Sequence, residues 1–474
     1  MRRTISLLMA ALFLLVKAAS GEEDRLVILS PHWEGIRSEF GWGFKDRYRA
    51  RTGRDVKVEW LDVGGGTGTI LRFVKSEFSK NPAGIGVDLF FGGGIDPFVE
   101  LTRLGLTYPY RLPDEQLEQI GKTIGGIPIY DPDCHWYGAA LSGFGIIYNR
   151  VVLDLIGLPE PKTWEDLGDS RLLTWVGSGD PRGSGAVHMT YEIILQAYGW
   201  EKGWEIITGL GANVRNFVAG SSQTPKDVAV GEVAYGMSID FYAWAQANEA
   251  GSDKIGYVMP EDLTVVNPDA IAILRGAPNL KVAEAFVDFV MSEEGQKLWL
   301  LRIGNPEGPK KFQLDRFSVM PNLYDKVLGN TNISVNPFRW RSSFRYDSEK
   351  GSRRWSVIND LIGVMIIDSH AQLVEAWKKV IEGGMREEAM KGISQAPVSE
   401  EEALSLVPGW RNPEIRNRKI SAWAQFAREK YLRYGASRME GGWSMTRIPA
   451  LGLTVGLLVA LVLYMRSTRG KSRA

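Results

Sequence analysis

Val87-Asp88-Leu89-Phe90-Phe91 runs directly into Gly92-Gly93-Gly94, an apolar run that stops in three glycines. A short apolar run bounded by a turn signal reads as a strand. The same order occurs twice upstream. Leu26-Val27-Ile28-Leu29 is followed by the turn Ser30-Pro31-His32, and Val56-Lys57-Val58-Glu59-Trp60 by Gly64-Gly65-Gly66-Thr67-Gly68-Thr69. Between these strands Ile36, Phe40, Phe44 and Tyr48 recur every four residues, and Ile70, Phe73 and Val74 open a further helix face. Strand, turn and helix in alternation predict an α/β fold whose parallel sheet carries helices on both faces.

A second unit of this kind follows. Residues 172–176 read as a strand, 177–185 as a Gly/Ser-rich turn, and Met189, Ile193, Ile194 and Ala197 as a helix face. Ser221-Ser222 can cap a helix with Pro225 in its first turn. Residues 233–239 form the next strand, with Asp240, Phe241 and Tyr242 at its end. The chain returns to a strand at 270–274 and a helix face of Ala283, Phe286, Val287 and Val290. Ligands of open α/β sheets bind outside the carboxyl ends of strands, so these loops are expected to face one another as two walls. From about residue 304 the alternation fails. Trp340, Trp355, Trp377, Trp410 and Trp423 are scattered through polar, helix-prone sequence, read as a helical appendage over 304–445 with tryptophans in its core or interfaces.

The 474 residues carry 56 basic and 56 acidic side chains, so no overall field draws the chain to nucleic acid. Arg2 and Arg3, the apolar 5–16 and Ala18-Ala19-Ser20 compose a signal peptide over 1–20. Residues 448–465 are uncharged and long enough to span a bilayer, predicting a transmembrane helix over 446–466. The basic tail at 467–474 belongs in the cytoplasm, which places the body on the periplasmic, extracytoplasmic face of the cytoplasmic membrane. Cys134 is alone, so no intramolecular disulfide can form.

Several ordered motifs resemble those of one family. They are Ser142-Gly143-Phe144-Gly145-Ile146-Ile147-Tyr148-Asn149, Asp180-Pro181-Arg182-Gly183-Ser184-Gly185, Gly256-Tyr257-Val258-Met259-Pro260, Asn267-Pro268-Asp269-Ala270-Ile271, and Ser292-Glu293-Glu294-Gly295-Gln296. They resemble the extracellular (periplasmic) solute-binding proteins of ABC importers, in the branch of ferric-binding and hexose-phosphate-binding proteins. The resemblance covers about 26–301. It implies a type II periplasmic-binding-protein fold: lobe 1 over 21–142, lobe 2 over 143–256, and a return to lobe 1 over 257–303. It also implies hinge segments around 141–148 and near Tyr257, closure on one solute, and ABC permease subunits as partners.

Gly-rich turns that open helices suit anions, because free amides and the helix dipole favour negative charge. Thr67, Gly68 and Thr69 fit that role, as do Ser184 with Gly185 and Ser221 with Ser222, although each can also be an ordinary turn with a capping hydroxyl. Ser30, Gly93 and Ser142 complete the expected walls. His32 is a candidate donor to an oxyanion or a metal ligand, and Asp240 a partner for sugar hydroxyls, an amine, or its own helix N-terminus. Ferric-binding relatives use adjacent tyrosines, and the corresponding pair here is Phe241-Tyr242, which leaves one phenolate missing. Two ligands therefore stay open. The first is a small anionic, phosphorylated solute; the alternative is ferric iron held through His32 and Tyr242. No cofactor is expected. The sequence has no G-x-S-x-G elbow and no phosphate-binding G-x-x-x-x-G-K-[ST] loop, so a hydrolase is the weaker reading. A ligand-sensing ectodomain is disfavoured by the short tail.

Overall fold

Leu26, Val27, Ile28 and Leu29 are all buried in β1 (Asp24–Leu29), the strand on which the first half of the molecule is laid down. α1 (Glu34–Thr52) covers it with Ile36, Phe40 and Phe44, the four-residue spacing read from the sequence. β2 (Val56–Leu61), α2 (Thr67–Lys80), β3 (Leu89–Gly94) and α3 (Ile95–Arg103) follow, and β1 pairs in parallel with both β2 and β3. This computed structural model describes residues 23–436. The expected signal peptide, transmembrane helix and basic tail lie outside the described residues. Among the described residues no single helix is long and apolar enough to cross a membrane.

β4 (Tyr137–Asn149) joins the two halves. Its residues 137–143 pair with one set of strands and its residues 144–149 with another. All thirteen residues are buried, and Gly138, Ala139, Ala140, Gly143 and Gly145 keep the crossing thin. A Cβ at Gly145 would collide with the Val258 carbonyl. The second half contains β5 (Val176–Gly179), α4 (Gly185–Tyr198), α5 (Trp200–Asn213), β6 (Val214–Val218), β7 (Tyr235–Ile239), α6 (Asp240–Ala250) and β8 (Ile255–Val258). β9 (Val266–Leu274) then returns to the first half, followed by α7 (Leu280–Val290) and α8 (Glu293–Leu300). The sheet order is β2-β1-β3-β9-β4-β7-β5-β6, with β8 also on β4.

Parallel pairing holds within β2-β1-β3 and within β7-β5-β6. β9 instead runs antiparallel to β3 and β4, and β7 and β8 run antiparallel to β4, so the sheet is mixed. The reversal follows from β9 re-entering the first half from the opposite side. The strand expected at 172–176 is displaced to β5, because Asp169 caps a 3-10 turn over Ser170–Leu172.

The segment 304–347 departs from the helical expectation. It holds one short helix, Leu323–Lys326, and a 3-10 turn, Pro337–Arg339, and it pairs back onto the first half through bridges Leu141–Phe317 and Leu301–Thr331. Regular helix starts at α9 (Ser348–Ile362), continues through a π turn (Gly363–Ile367) into α10 (His370–Glu382), and ends with α11 (Glu387–Ser394) and α12 (Pro413–Ala436). Trp355, Trp377, Trp410 and Trp423 are buried among these helices. The pair from Ser348 to Glu382 is apolar enough to span a membrane but is bent by 62°, and its Ile358, Leu361, Ile362 and Met365 are enclosed by protein.

Candidate functional site

The strand-end loops of the two halves meet across a cavity of about 270 Å³. From the first half, Gly66 precedes Thr67 as the cap of α2, and Gly93 is the next-to-last residue of β3. From the second, Ser184 and Gly185 begin α4, and Ser221 and Tyr242 follow β6 and β7. The halves touch: a Cβ at Gly66 would lie 2.7 Å from the Gly183 carbonyl, and one at Gly68 would lie 2.8 Å from the Arg182 carbonyl. Only glycine lets these loops close so tightly.

Eight of the twelve residues singled out from sequence line this cavity: His32, Thr67, Gly93, Ser142, Ser184, Gly185, Ser221 and Tyr242. Ser30 stands behind His32, where its Oγ accepts from the His32 N–H at 3.2 Å. Gly68 is spent on the approach to Arg182. Thr69 Oγ1 accepts from Arg72 Nη2 at 3.1 Å, outside the cavity wall. Asp240 is fully buried at the start of α6; its Oδ2 accepts from the Gly143 N–H and its Oδ1 from the Phe241 N–H, each at 2.7 Å. Burial pushes its carboxyl up to about 7 against those hydrogen bonds and the pull of Arg316. Asp240 thus ties the crossing strand to α6 and is not on the wall.

The floor holds residues that sequence reading passed over. Arg316, 1% exposed, enters from the irregular 304–347 segment. Its Nη1 lies 2.5 Å from Asp269 Oδ2, its Nη2 donates to Ser142 Oγ at 2.6 Å, and its guanidinium sits 4.4 Å from the Phe241 ring centroid and 5.1 Å from that of Trp299. Asp269, on β9, also meets His32 Nε2 at 2.9 Å and accepts from the Gly93 N–H. Burial would raise the Asp269 carboxyl, but Arg316 and His32 together hold it well below the usual carboxylate range. Burial in turn lowers His32, offset only in part by Asp269. His32 packs edge-on to Phe91 at 4.7 Å, and its Nδ1 is buried without a partner. Asn267 and Asp269 lie inside a quoted motif, which was the available signal; nothing in sequence marked Arg316.

Two 14-residue helices, α2 and α4, therefore aim their N-termini into the cavity from opposite sides. Their first amides have no intrahelical acceptor and favour negative charge. Tyr242 lines the same space, and burial pushes its phenol up to about 12. Among the described residues no group of three His, Cys, Asp or Glu side chains is placed to hold a metal ion.

The sequence profile of the bacterial extracellular solute-binding protein family matches residues 86–315. An uncharacterized protein of Haemophilus influenzae is 28% identical over 305 residues, 62% of this chain and 81% of its own length. The phosphoglycerate transport regulatory protein PgtC of Salmonella typhimurium is 25% identical over 224 residues, 45% of this chain; the match spans only 55% of PgtC. Among solved structures, the periplasmic binding protein AfuA from Actinobacillus pleuropneumoniae, with exogenous fructose-6-phosphate bound, aligns with a TM-score of 0.57 and 23% identity, over 77% of this chain and 100% of AfuA. Iron-bound HitA from Pseudomonas aeruginosa aligns with a TM-score of 0.52 and 19% identity, over 72% and 99%. The α/β body thus has a periplasmic-binding-protein fold; the matched family and these fold neighbours are described as binding proteins.

Proposed function

We propose that this solute-binding protein is the capture subunit of an ABC-type importer. It takes a small anionic, phosphorylated solute between two lobes, 21–142 with 257–303 and 143–256, that hinge at β4 and near Tyr257. The observation that carries this reading is the convergence of two helix N-termini from opposite halves on one cavity, with hydroxyls of Ser184, Ser221 and Tyr242 beside them. Amides and hydroxyls of this kind replace the hydration of a phosphate oxygen without adding a titrating cation. Binding stabilises the shut arrangement to the extent that the solute prefers it over the open one. PgtC, a phosphoglycerate transport regulatory protein, and AfuA with fructose-6-phosphate bound support the same class.

Ferric iron is the second reading, favoured by HitA and by Tyr242 in the cavity. The donor set is poor for it. Phe241 stands where a second phenolate would be needed, and the Asp269 carboxylate is already engaged by Arg316, His32 and the Gly93 amide. Titration calorimetry of the purified full chain against fructose 6-phosphate, 3-phosphoglycerate and ferric citrate tests the choice. Saturable binding of a phosphorylated compound supports the anion, and heat from ferric citrate alone refutes it.

A further inference from the structure

Residues 346–368 touch both halves of the molecule at once. On the side of the first half, the Tyr346 hydroxyl donates to Asp96 Oδ2 on α3 at 2.8 Å, with both side chains buried. Helix α9 follows so closely that a Cβ at Gly351 would sit 3.2 Å from the same carboxylate oxygen. On the side of the second half, Arg354 forks onto Glu192 of α4, Nη2 to Oε1 at 2.7 Å and Nε to Oε1 at 3.0 Å, with both side chains fully buried. Trp355 lies 3.6 Å from the His188 ring centroid, and Asn359 Oδ1 meets His188 Nδ1 at 2.6 Å.

The π turn after α9 then reaches the cavity loop itself. Asp368 takes both terminal nitrogens of Arg182, each at 2.9 Å. Gly363 is so near that a Cβ would lie 2.8 Å from that guanidinium. Asp180 holds the other edge of Arg182, with Nη2 to Oδ2 at 2.7 Å. The Arg182 carbonyl accepts from Arg72 Nη1 of α2, across the cavity. Arg182 is consequently joined to the first half, to its own loop and to the appendage, two residues before Ser184 on the cavity wall. Insertions that break regular helix into a π turn are frequent at functional positions, and this one lies against the loop that closes the site.

We propose that residues 346–368 form a strap that regulates the cavity: it rides on the second half, holds the halves shut, and must slip off α3 before solute enters or leaves. Helix α9 packs against both α3 and α4, and the chemistry of its polar contacts gives the direction. The bidentate Arg354–Glu192 pair and the His188 contacts are fully buried and anchor α9 to α4. The Arg182–Asp368 pair, with Asp368 50% accessible, holds the π turn to the second-half loop that Arg72 of the first half also bonds, and loosening such a pair costs little. Tyr346 to Asp96 is the side-chain hydrogen bond toward α3 that opening has to break. The regulatory role rests on the solute-binding reading above; the mechanical coupling of strap to halves does not.

The test uses the full chain carrying spin labels at Ser79→Cys and Lys226→Cys, exposed positions on the first and second half, with and without Tyr346→Phe and Asp368→Asn together. Pulsed electron–electron resonance without solute is expected to give one short distance for the strapped protein and an added longer one for the double variant. Fructose 6-phosphate is expected to leave the double variant at least 10-fold faster in stopped-flow tryptophan fluorescence. An unchanged distance distribution in a double variant that melts as a folded protein overturns the strap, as does a strapped protein that already samples the long distance. Should the double variant fail to fold, Tyr346→Phe alone carries the same expectation for the distance, and its identity with the strapped protein counts against the proposal. If the double variant opens but fructose 6-phosphate binds neither protein, the strap stands and the phosphorylated-solute reading falls.

Discussion

Arg316 and Asp269 form an ion pair at the cavity floor, Nη1 to Oδ2 at 2.5 Å, with side chains only 2% and 10% exposed. Asp269 comes from β9, and Arg316 from the segment that crosses back after α8, so the pair joins two stretches 47 residues apart (316 − 269). Its charges cancel, and the same carboxylate orients His32 through Nε2 at 2.9 Å.

Removing one partner leaves the other charge buried and alone. We expect Arg316→Met to destabilise the protein by about 3–5 kcal/mol in urea unfolding. Arg316→Met with Asp269→Asn should recover part of that loss. A single variant as stable as the parent would show that the pair is solvated in solution.

Hydroxyls on the wall are expected to act on affinity with little effect on folding. A hydrogen bond to a charged group contributes about 1.5–3 kcal/mol, a factor of roughly 10 to 100 in affinity. We therefore expect Ser221→Ala and Tyr242→Phe each to weaken fructose 6-phosphate binding by about that factor in calorimetry, at unchanged melting temperature. Thr69→Ala, whose hydroxyl faces Arg72 instead, should bind as the parent does. Equal losses from all three would break the assignment of the wall.

His188 gives an acid limit to stability. Its Nδ1 meets Asn359 Oδ1 at 2.6 Å, while its Nε2 is buried without a partner, so a second proton has nowhere to bond. Burial lowers it to about 4 from the ordinary 6.5, Glu192 opposing. A depressed folded value means the contribution is complete above 6.5 and is lost as pH falls toward 4. By linkage the loss is on the order of 3 kcal/mol. His188→Gln should flatten the stability profile between pH 6.5 and 4, read from urea midpoints; parallel profiles for the two proteins would contradict the assignment.

The first α/β unit was legible because β1 and β3 are apolar runs ended by serine or glycine, and α1 repeats its apolar residues every four. The cavity loops were legible for the same reason, since strand ends face the cleft. What sequence left hidden depends on long-range closure. Thr69 and Asp240 have the right chemistry on the right loops, but α2 turns Thr69 toward Arg72, and Asp240 is consumed by the Gly143 amide. Arg316 lies in a segment without periodicity, read as part of a helical appendage; the bridge between Leu141 and Phe317 and the bond from the Arg316 N–H to the Trp299 carbonyl bring it to the floor. The direction of β9 was hidden likewise, because a strand's partner is set by the path of the chain between halves and not by its own residues.

The nature of the captured solute is tested most directly by native mass spectrometry of the full chain as isolated from its host, before any ligand is added. We expect a bound species with the mass of a small phosphorylated organic compound, displaced by excess fructose 6-phosphate or 3-phosphoglycerate. A bound mass equal to one iron, accompanied by a visible tyrosinate–iron band that Tyr242→Phe abolishes, would contradict the anion reading and establish iron as the cargo.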